Sequence, residues 1–203
     1  SSQTFSVGKG SQPVAFTSTA PAGAAVGGAS YTPTTTAGGS GNAVTYSIDA
    51  STTNSACSFG SGHVSFAHVG TCVVDANQAG NANYNAATQV QQSFAVGKGT
   101  QTINLTSTPP ASPTVGGSSY VITGSGGASG NALTATVDAA STNSACTVSG
   151  LTVSFVHAGS CVVDVNQAGN GDEFAASQVQ QSMAVGAASG SNAFTATAPA
   201  AAV

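Results

Sequence analysis

The four cysteines are the residues of this sequence whose spacing most clearly permits chemistry. Cys57 and Cys72 are 15 positions apart, and so are Cys146 and Cys161. Thiols at such spacings form disulfides in an oxidising compartment, although the sequence alone permits three pairings of four cysteines. We expect Cys57 to pair with Cys72 and Cys146 with Cys161, because each pair lies within one copy of an internal repeat. Closing a loop of 15 residues stabilises a fold by about 3 kcal/mol in the chain-entropy model.

Zinc is the alternative for four thiolates. Structural zinc sites usually contain closely spaced pairs such as C-x-x-C, and this sequence has none. We therefore predict disulfides, no metal and no cofactor, and a location outside the cytosol.

Two histidines occupy equivalent positions, His68 and His157, each shortly before a glycine at a predicted turn between strands. A catalytic histidine needs a nucleophile and an orienting acid within reach, and the sequence contains no nucleophile-elbow or cysteine-protease pattern. We predict turn or packing roles for both histidines, no catalytic residue, and no enzymatic activity.

Asp75 and Asp164, followed by Asn77 and Asn166, offer the oxygen ligands that calcium prefers. One carboxylate with neighbouring amides makes a weak site at best. We expect the aspartates to point outward from their strands and the asparagines to cap the following loops.

Lys9 and Lys98 are the only two lysines of the chain. Some bacterial surface domains join a lysine to an asparagine through an isopeptide bond beside a buried acid. Both lysines here lie between glycines in predicted linkers, so we expect exposed linker charges. Asn104 begins the single acceptor sequence for N-glycosylation that we note, and such short motifs often arise by chance.

The composition excludes several classes of function. Charged residues make up 4% of the chain and the formal net charge is -4, so no basic patch exists for nucleic acid. No apolar stretch approaches the roughly 20 residues of a membrane helix, and we expect no membrane insertion. Small neutral residues and β-branched residues replace the charges, which favours an all-β extracellular protein.

An internal repeat organises the chain. Lys9 and Lys98, Cys57 and Cys146, and Cys72 and Cys161 are all 89 positions apart. A period of this length indicates an array of complete small domains rather than a solenoid. We predict one domain at 10–98 and a second at 99–187.

Short runs of alternating or β-branched residues, separated by turn residues, predict seven strands in each repeat and a β-sandwich fold. His63 to Ala67 alternates cleanly, whereas Gly38 to Asn42 can only be a loop. The strands predicted for the first repeat are 12–18, 24–33, 43–49, 55–60, 62–67, 70–77 and 89–96.

Four runs carry a resemblance to a known family: 55–57 (Ser-Ala-Cys), 64–66 (Val-Ser-Phe), 70–81 (Gly-Thr-Cys-Val-Val-Asp-Ala-Asn-Gln-Ala-Gly-Asn) and 91–99 (Gln-Gln-Ser-Phe-Ala-Val-Gly-Lys-Gly). This pattern resembles the bacterial immunoglobulin-like repeats of large surface and secreted proteins. The resemblance implies two tandem immunoglobulin-like β-sandwiches that space, display or assemble. The second copy departs from the pattern where Asp-Glu-Phe at 172–174 replaces Asn-Tyr-Asn at 83–85.

Both ends of the chain repeat one strand without its domain. Phe5 and Val7 in segment 1–9 correspond to the last strand of a repeat, and Phe194 and Thr195 in segment 188–203 correspond to the first. We expect an orphan strand at each terminus.

Two functions from different classes explain these ends. In the first, the chain is the subunit of a surface filament, and a terminal strand of one copy adds to an exposed sheet edge of the next. In the second, the chain is a stalk segment of a longer surface adhesin, and its partners are neighbouring repeats. A carbohydrate-binding module is a third alternative, but it would need exposed aromatic residues, and the chain has no Trp and four Tyr.

Overall fold

A computed structural model describes residues 1–190. The described chain contains thirteen β-strands and no α-helix, so the predicted all-β class is confirmed. It divides into two compact units, which are described separately. The first unit contains Ser1–Gln101 and Ala168–Ala176, and the second contains Thr102–Gln167 and the described residues from Ser177 onward. The domain boundaries at 10–98 and 99–187 stay a prediction.

The first unit contains two antiparallel sheets. One has the strand order β1-β4-β5, with β1 at Val44–Ile48, β4 at Gly70–Gln78 and β5 at Val90–Val96. The other is a hairpin of β2 (Cys57–Gly60) and β3 (His63–Phe66). Ser61 and Gly62 in its turn have φ angles of 51° and 83°. Two positive φ angles characterise the type I′ turn, whose twist matches that of the flanking strands.

The two sheets of the first unit face each other across one core. Side chains from both sheets alternate inward, because successive residues of a strand point to opposite faces. Phe66 of β3 and Phe94 of β5 meet edge to face, with ring centroids 5.8 Å apart. Cys57 of β2 and Cys72 of β4 form a disulfide with a Cα–Cα distance of 5.6 Å. The disulfide therefore joins the two layers of a β-sandwich.

The second unit repeats this arrangement. Its strands are β6 Asn104–Leu105, β7 Tyr120–Val121, β8 Gly124–Ser125, β9 Leu133–Val137, β10 Cys146–Ser149, β11 Thr152–Phe155, β12 Gly159–Gln167 and β13 Val179–Val185. Its main sheet has the order β13-β12-β9, and its facing sheet has the order β10-β11-β7. Cys146 of β10 and Cys161 of β12 join these sheets, again with a Cα–Cα distance of 5.6 Å. A short pair, β6 with β8, completes the unit.

The strand count differs from the seven predicted for each repeat, because the first unit has five strands and the second has eight. The segments 12–18 and 24–33 of the first unit make only isolated bridges, such as Phe16 with Thr35 and Tyr31 with Val64. Pro13 and Pro33 cannot donate to a ladder. Gly27, with φ of 66°, also breaks the extended conformation.

The predicted terminal strands have different outcomes. Segment 1–9 forms no strand, and Phe5 and Val7 are 88% and 82% exposed. Phe194 and Thr195 lie outside the described residues. Residues 1–190 contain no helix with the length and hydropathy needed to span a membrane.

Candidate functional site

The two strand aspartates face away from the sandwich cores, as expected from the alternation along their strands, but they are covered rather than exposed to solvent. Asp75 and Asp164 are only 6% and 9% exposed, because each is on the central strand of a sheet and a glutamine covers it. Gln91 Nε2 donates to Asp75 Oδ1 at 2.8 Å, and Gln180 Nε2 donates to Asp164 Oδ1 at 3.0 Å. The hydrogen bond from Gln180 holds the pKa of Asp164 below that of an ordinary aspartate, although desolvation acts in the opposite direction.

These carboxylates therefore serve packing within the sheets. One oxygen of each already accepts an amide hydrogen, which leaves a poor ligand set for calcium. Among residues 1–190, no group of three or more His, Cys, Asp or Glu side chains is arranged to hold a metal ion.

In each repeat, a glycine and the glutamine two residues after it anchor one loop. We call residues 79–87 the first loop and Ala168–Ala176 the second loop. Gly10 N–H donates to Asn83 O at 2.8 Å, and Asn85 N–H donates to Gly10 O at 2.9 Å. The buried Gln12 side chain donates to Ala79 O and Asn85 O. The first loop is therefore held by backbone and side chain together.

The second loop is anchored in the same way, with Gly99 and Gln101 in the roles of Gly10 and Gln12. Gly99 N–H donates to Asp172 O at 2.8 Å, and Gln101 Nε2 donates to Phe174 O at 2.8 Å. Our sequence reasoning missed this anchor. The signal was present, because Gly-Lys-Gly-x-Gln occurs at both 8–12 and 97–101.

The second loop has further partners in the first unit, at a turn of the first repeat. Residues 67–70 form what we call the first turn, and residues 156–159 are its copy, the second turn. His68 Nδ1 lies 2.8 Å from Asp172 Oδ2, and Val69 N–H donates to Asp172 Oδ1 at 2.8 Å. The hydrogen bond with His68 is the main cause that lowers the pKa of Asp172, and the Val69 N–H adds to it.

Lys98 also contacts the second loop. Its Nζ donates to Asn170 O and lies 6.0 Å from the centre of the Phe174 ring. Lys9 is exposed as expected, whereas Lys98 is half-buried. The environment of Lys98 thus differs from the exposed linker charge expected from the sequence.

Glu173 lies at the centre of the second loop and is 5% exposed. Its Oε2 is buried and has no hydrogen-bond partner within residues 1–190. A Cβ atom on Gly99 would lie 2.5 Å from both Glu173 Oε2 and Val26 O. Only glycine therefore fits at position 99, where the chain passes between the Glu173 carboxylate and the Val26 carbonyl.

The two histidines predicted to be equivalent have different environments. His68 contacts a carboxylate, whereas His157 Nδ1 lies 3.2 Å from the Ser144 carbonyl oxygen of its own unit. Asn83 occupies the position of Asp172 in the first loop and is exposed.

Segment 1–9 also differs from its copy. Phe94 and Val96 are 8% and 2% exposed in the first core, whereas the corresponding Phe5 and Val7 face solvent. The segment thus presents two apolar side chains of a type that the fold buries elsewhere.

Comparisons with known proteins give no family. No protein-family model matches the chain, and no curated protein matches it. The resemblance to bacterial immunoglobulin-like repeats therefore stays a prediction.

Some solved structures are similar at low identity. The chain is 13% identical to Drosophila N-cadherin EC1-3, covering 87% of this chain and 68% of that one, with a TM-score of 0.31. It is 13% identical to protocadherin gamma B2 extracellular cadherin domains 3-6, covering 87% and 53%, with a TM-score of 0.35. It is 15% identical to domains 4 and 5 of the S-layer protein SbsC, covering 86% and 97%, with a TM-score of 0.29. At such TM-scores these similarities carry no argument about function.

Proposed function

We propose that this chain is a non-enzymatic, extracellular structural protein that assembles head to tail with copies of itself through segment 1–9. The observation that carries the proposal is the exposure of Phe5 and Val7, at 88% and 82%. Their copies Phe94 and Val96 are buried in a sandwich core. A segment with strand-forming sequence and unburied apolar side chains gains free energy by adding to a sheet edge.

Each sandwich offers edges for such an addition. Strands β1 and β5 end the main sheet of the first unit, and β9 and β13 end that of the second. An edge strand has unpaired backbone groups that can accept another strand. A contact between different surfaces of two copies generates an open filament when its rotation does not close into a ring, and we propose the open form here. The terminal residues Phe194 and Thr195 are proposed to contribute a second assembly strand.

The disulfides support the proposed location. Cys57 with Cys72 and Cys146 with Cys161 bridge the layers of both sandwiches. Such bonds persist in oxidising compartments and are rare in the cytosol. The low charge content, 4% of residues, limits electrostatic repulsion between copies in an assembly. Together these features support a secreted protein at the cell surface.

A stalk within a longer surface adhesin is the second candidate. It is favoured by the recurring anchor, in which Gly10 with Gln12 and Gly99 with Gln101 hold equivalent loops. An anchor of this kind can be repeated along a linear array. Carbohydrate binding has no comparable support, because none of the four tyrosines is exposed.

Electron microscopy of the purified 203-residue chain, with sedimentation velocity, tests the filament. The key variant carries Phe5→Asp and Val7→Asp, and its matched control carries Thr4→Asp and Ser6→Asp. We expect fibres from the wild type and the control and their loss in the key variant. Monomers of the wild-type chain at all concentrations would contradict assembly and support the stalk. Fibres that persist in the key variant would contradict a role for segment 1–9.

A further inference from the structure

The two copies of the anchored loop have unequal environments. In the second loop Glu173 and Ala176 are buried and Asp172 is half-buried. The corresponding positions of the first loop are more open, because Asn83 is exposed and Tyr84 is half-buried. Loops with the same backbone anchoring thus differ in how much of their outer face is covered.

Residues of the first repeat cover the second loop within the first unit. The first turn supplies His68 Nδ1 and the Val69 N–H, both 2.8 Å from the Asp172 carboxylate. Lys98 adds its contacts with Asn170 O and the Phe174 ring.

The second repeat carries a copy of this covering surface. The second turn contains His157 and Ala158, which correspond to His68 and Val69. His157 is exposed, as His68 is, but Ala158 is exposed where Val69 is half-buried, and His157 contacts a backbone carbonyl where His68 contacts a carboxylate. Within residues 1–190, the first loop and the second turn are therefore the more open copies, whereas the second loop and the first turn contact each other inside the first unit.

We propose that the first loop of one molecule docks against the second turn of another copy, in the arrangement that the second loop adopts against the first turn. This inference rests on the proposed head-to-tail assembly and names a second interface for it. The partner is another copy of this chain because the complementary surface, a histidine followed by a small residue and a glycine, is present in the chain itself.

The proposed interface lacks three side chains of the internal contact, two of them charged and one aromatic. Asn83 replaces Asp172, so His157 meets a neutral amide instead of a carboxylate. Ala187 replaces Lys98 and Asn85 replaces Phe174, which removes the contact between cation and ring. Hydrogen bonds with an ionised partner are roughly twice as strong as neutral ones. The contact between copies is therefore the weaker version of the internal one.

Asn83→Asp tests the interface by a gain of binding, because it restores the carboxylate of the internal contact. A hydrogen bond with a charged group exceeds a neutral one by about 1 kcal/mol, which corresponds to about a 5-fold lower Kd. We expect this tightening in sedimentation equilibrium at low salt. Adding His157→Ser to the same chain is expected to remove most of the gain, because only the Ala158 N–H, the copy of the Val69 N–H, is left to donate to the new carboxylate. Asn104→Asp, which adds the same charge at an exposed site of the second unit, is the control and should leave the Kd unchanged.

The outcomes separate this inference from the filament proposal. A tightening by Asn83→Asp that depends on His157 supports the interface, even in a chain lacking residues 1–9. If Asn83→Asp leaves self-association unchanged, or tightens it regardless of His157, the interface is overturned. Fibres that still depend on Phe5 and Val7 would in that case leave the proposed function standing.

Discussion

His68 Nδ1 lies 2.8 Å from Asp172 Oδ2, although 104 positions separate these residues along the chain. The contact places part of the second repeat in the first compact unit. His157, the copy of His68, has a backbone carbonyl as its neighbour instead. The pair therefore distinguishes two sequence repeats that look alike.

Asp172→Asn should weaken the attachment of the second loop in a manner that depends on pH. The pKa of Asp172 is lowered in the folded state, mainly by His68. A lowered carboxyl pKa contributes stability above the unfolded pKa, near 3.9, which is lost as the pH falls through the folded pKa. We expect faster amide exchange of Val69 and a lower Tm in the variant near pH 6, with the Tm difference shrinking toward pH 2.

Substitution of the histidines provides the control for this prediction. His68→Ser should reproduce the lower Tm near pH 6, because it removes the same contact. His157→Ser should leave the Tm of dilute monomer unchanged, since His157 contacts no carboxylate among residues 1–190. An equal loss of Tm for Asp172→Asn at every pH would contradict an electrostatic role.

The two disulfides should stabilise their sandwiches by similar amounts. Each closes a loop with a sequence separation of 15 residues, for which the chain-entropy model gives about 3 kcal/mol. Urea unfolding measures these losses separately in two double variants. One carries Cys57→Ser with Cys72→Ser, and the other carries Cys146→Ser with Cys161→Ser. Strongly unequal losses would show that packing around the sulfurs, rather than loop length, dominates.

Gln180→Met should raise the pKa of Asp164 toward that of an ordinary aspartate. The hydrogen bond from Gln180 is the largest cause that lowers this pKa, and methionine cannot donate. Carbon-detected NMR titration of the Asp164 carboxyl measures the change. Stability contributed by this bond is present above the unfolded pKa and is lost as pH falls through the lowered folded value.

Gln91→Met is the matched control for Asp164, because Gln91 makes the equivalent hydrogen bond to Asp75 in the other unit. We expect it to leave the Asp164 titration unchanged. A shift of Asp164 in both variants would indicate a global change in structure.

Gly99→Ala should destabilise the chain much more than Gly10→Ala. A Cβ at position 99 would lie 2.5 Å from Glu173 Oε2 and Val26 O, whereas a Cβ at position 10 would lie 3.3 Å from the Tyr84 ring. Overpacking of this kind typically costs about 1–3 kcal/mol. Denaturant unfolding of the two variants gives the comparison.

Removing the Glu173 side chain distinguishes the two close contacts at position 99. Glu173→Ala should restore only part of the stability lost in Gly99→Ala, because the Val26 carbonyl belongs to the backbone and cannot be removed. Full restoration would show that the carboxylate alone requires glycine, and equal effects of Gly99→Ala and Gly10→Ala would contradict the geometry.

Local features of the sequence were sufficient for the class of fold. Alternating residues such as His63 to Ala67 predicted strands, because successive side chains of a strand point to opposite faces and the alternation is therefore visible in consecutive residues. The 89-residue period paired Cys57 with Cys72 without reference to any contact, and the structure has the same pair. The same 89-residue period showed that segment 1–9 is similar in sequence to β5.

Tertiary structure decided the features that depend on what covers a residue. Asp75 shares a strand pattern with solvent-facing residues, yet Gln91 from the adjacent strand buries it. His68 and His157 have nearly the same neighbours in sequence, and only the presence of Asp172 beside one of them makes their chemistry different. Such differences arise from contacts between distant segments, which a period of local residue types does not encode. The sequence by itself thus determined the layers and the cysteine pairs, whereas the fold decided which copies of the loop and turn are covered and which are left open.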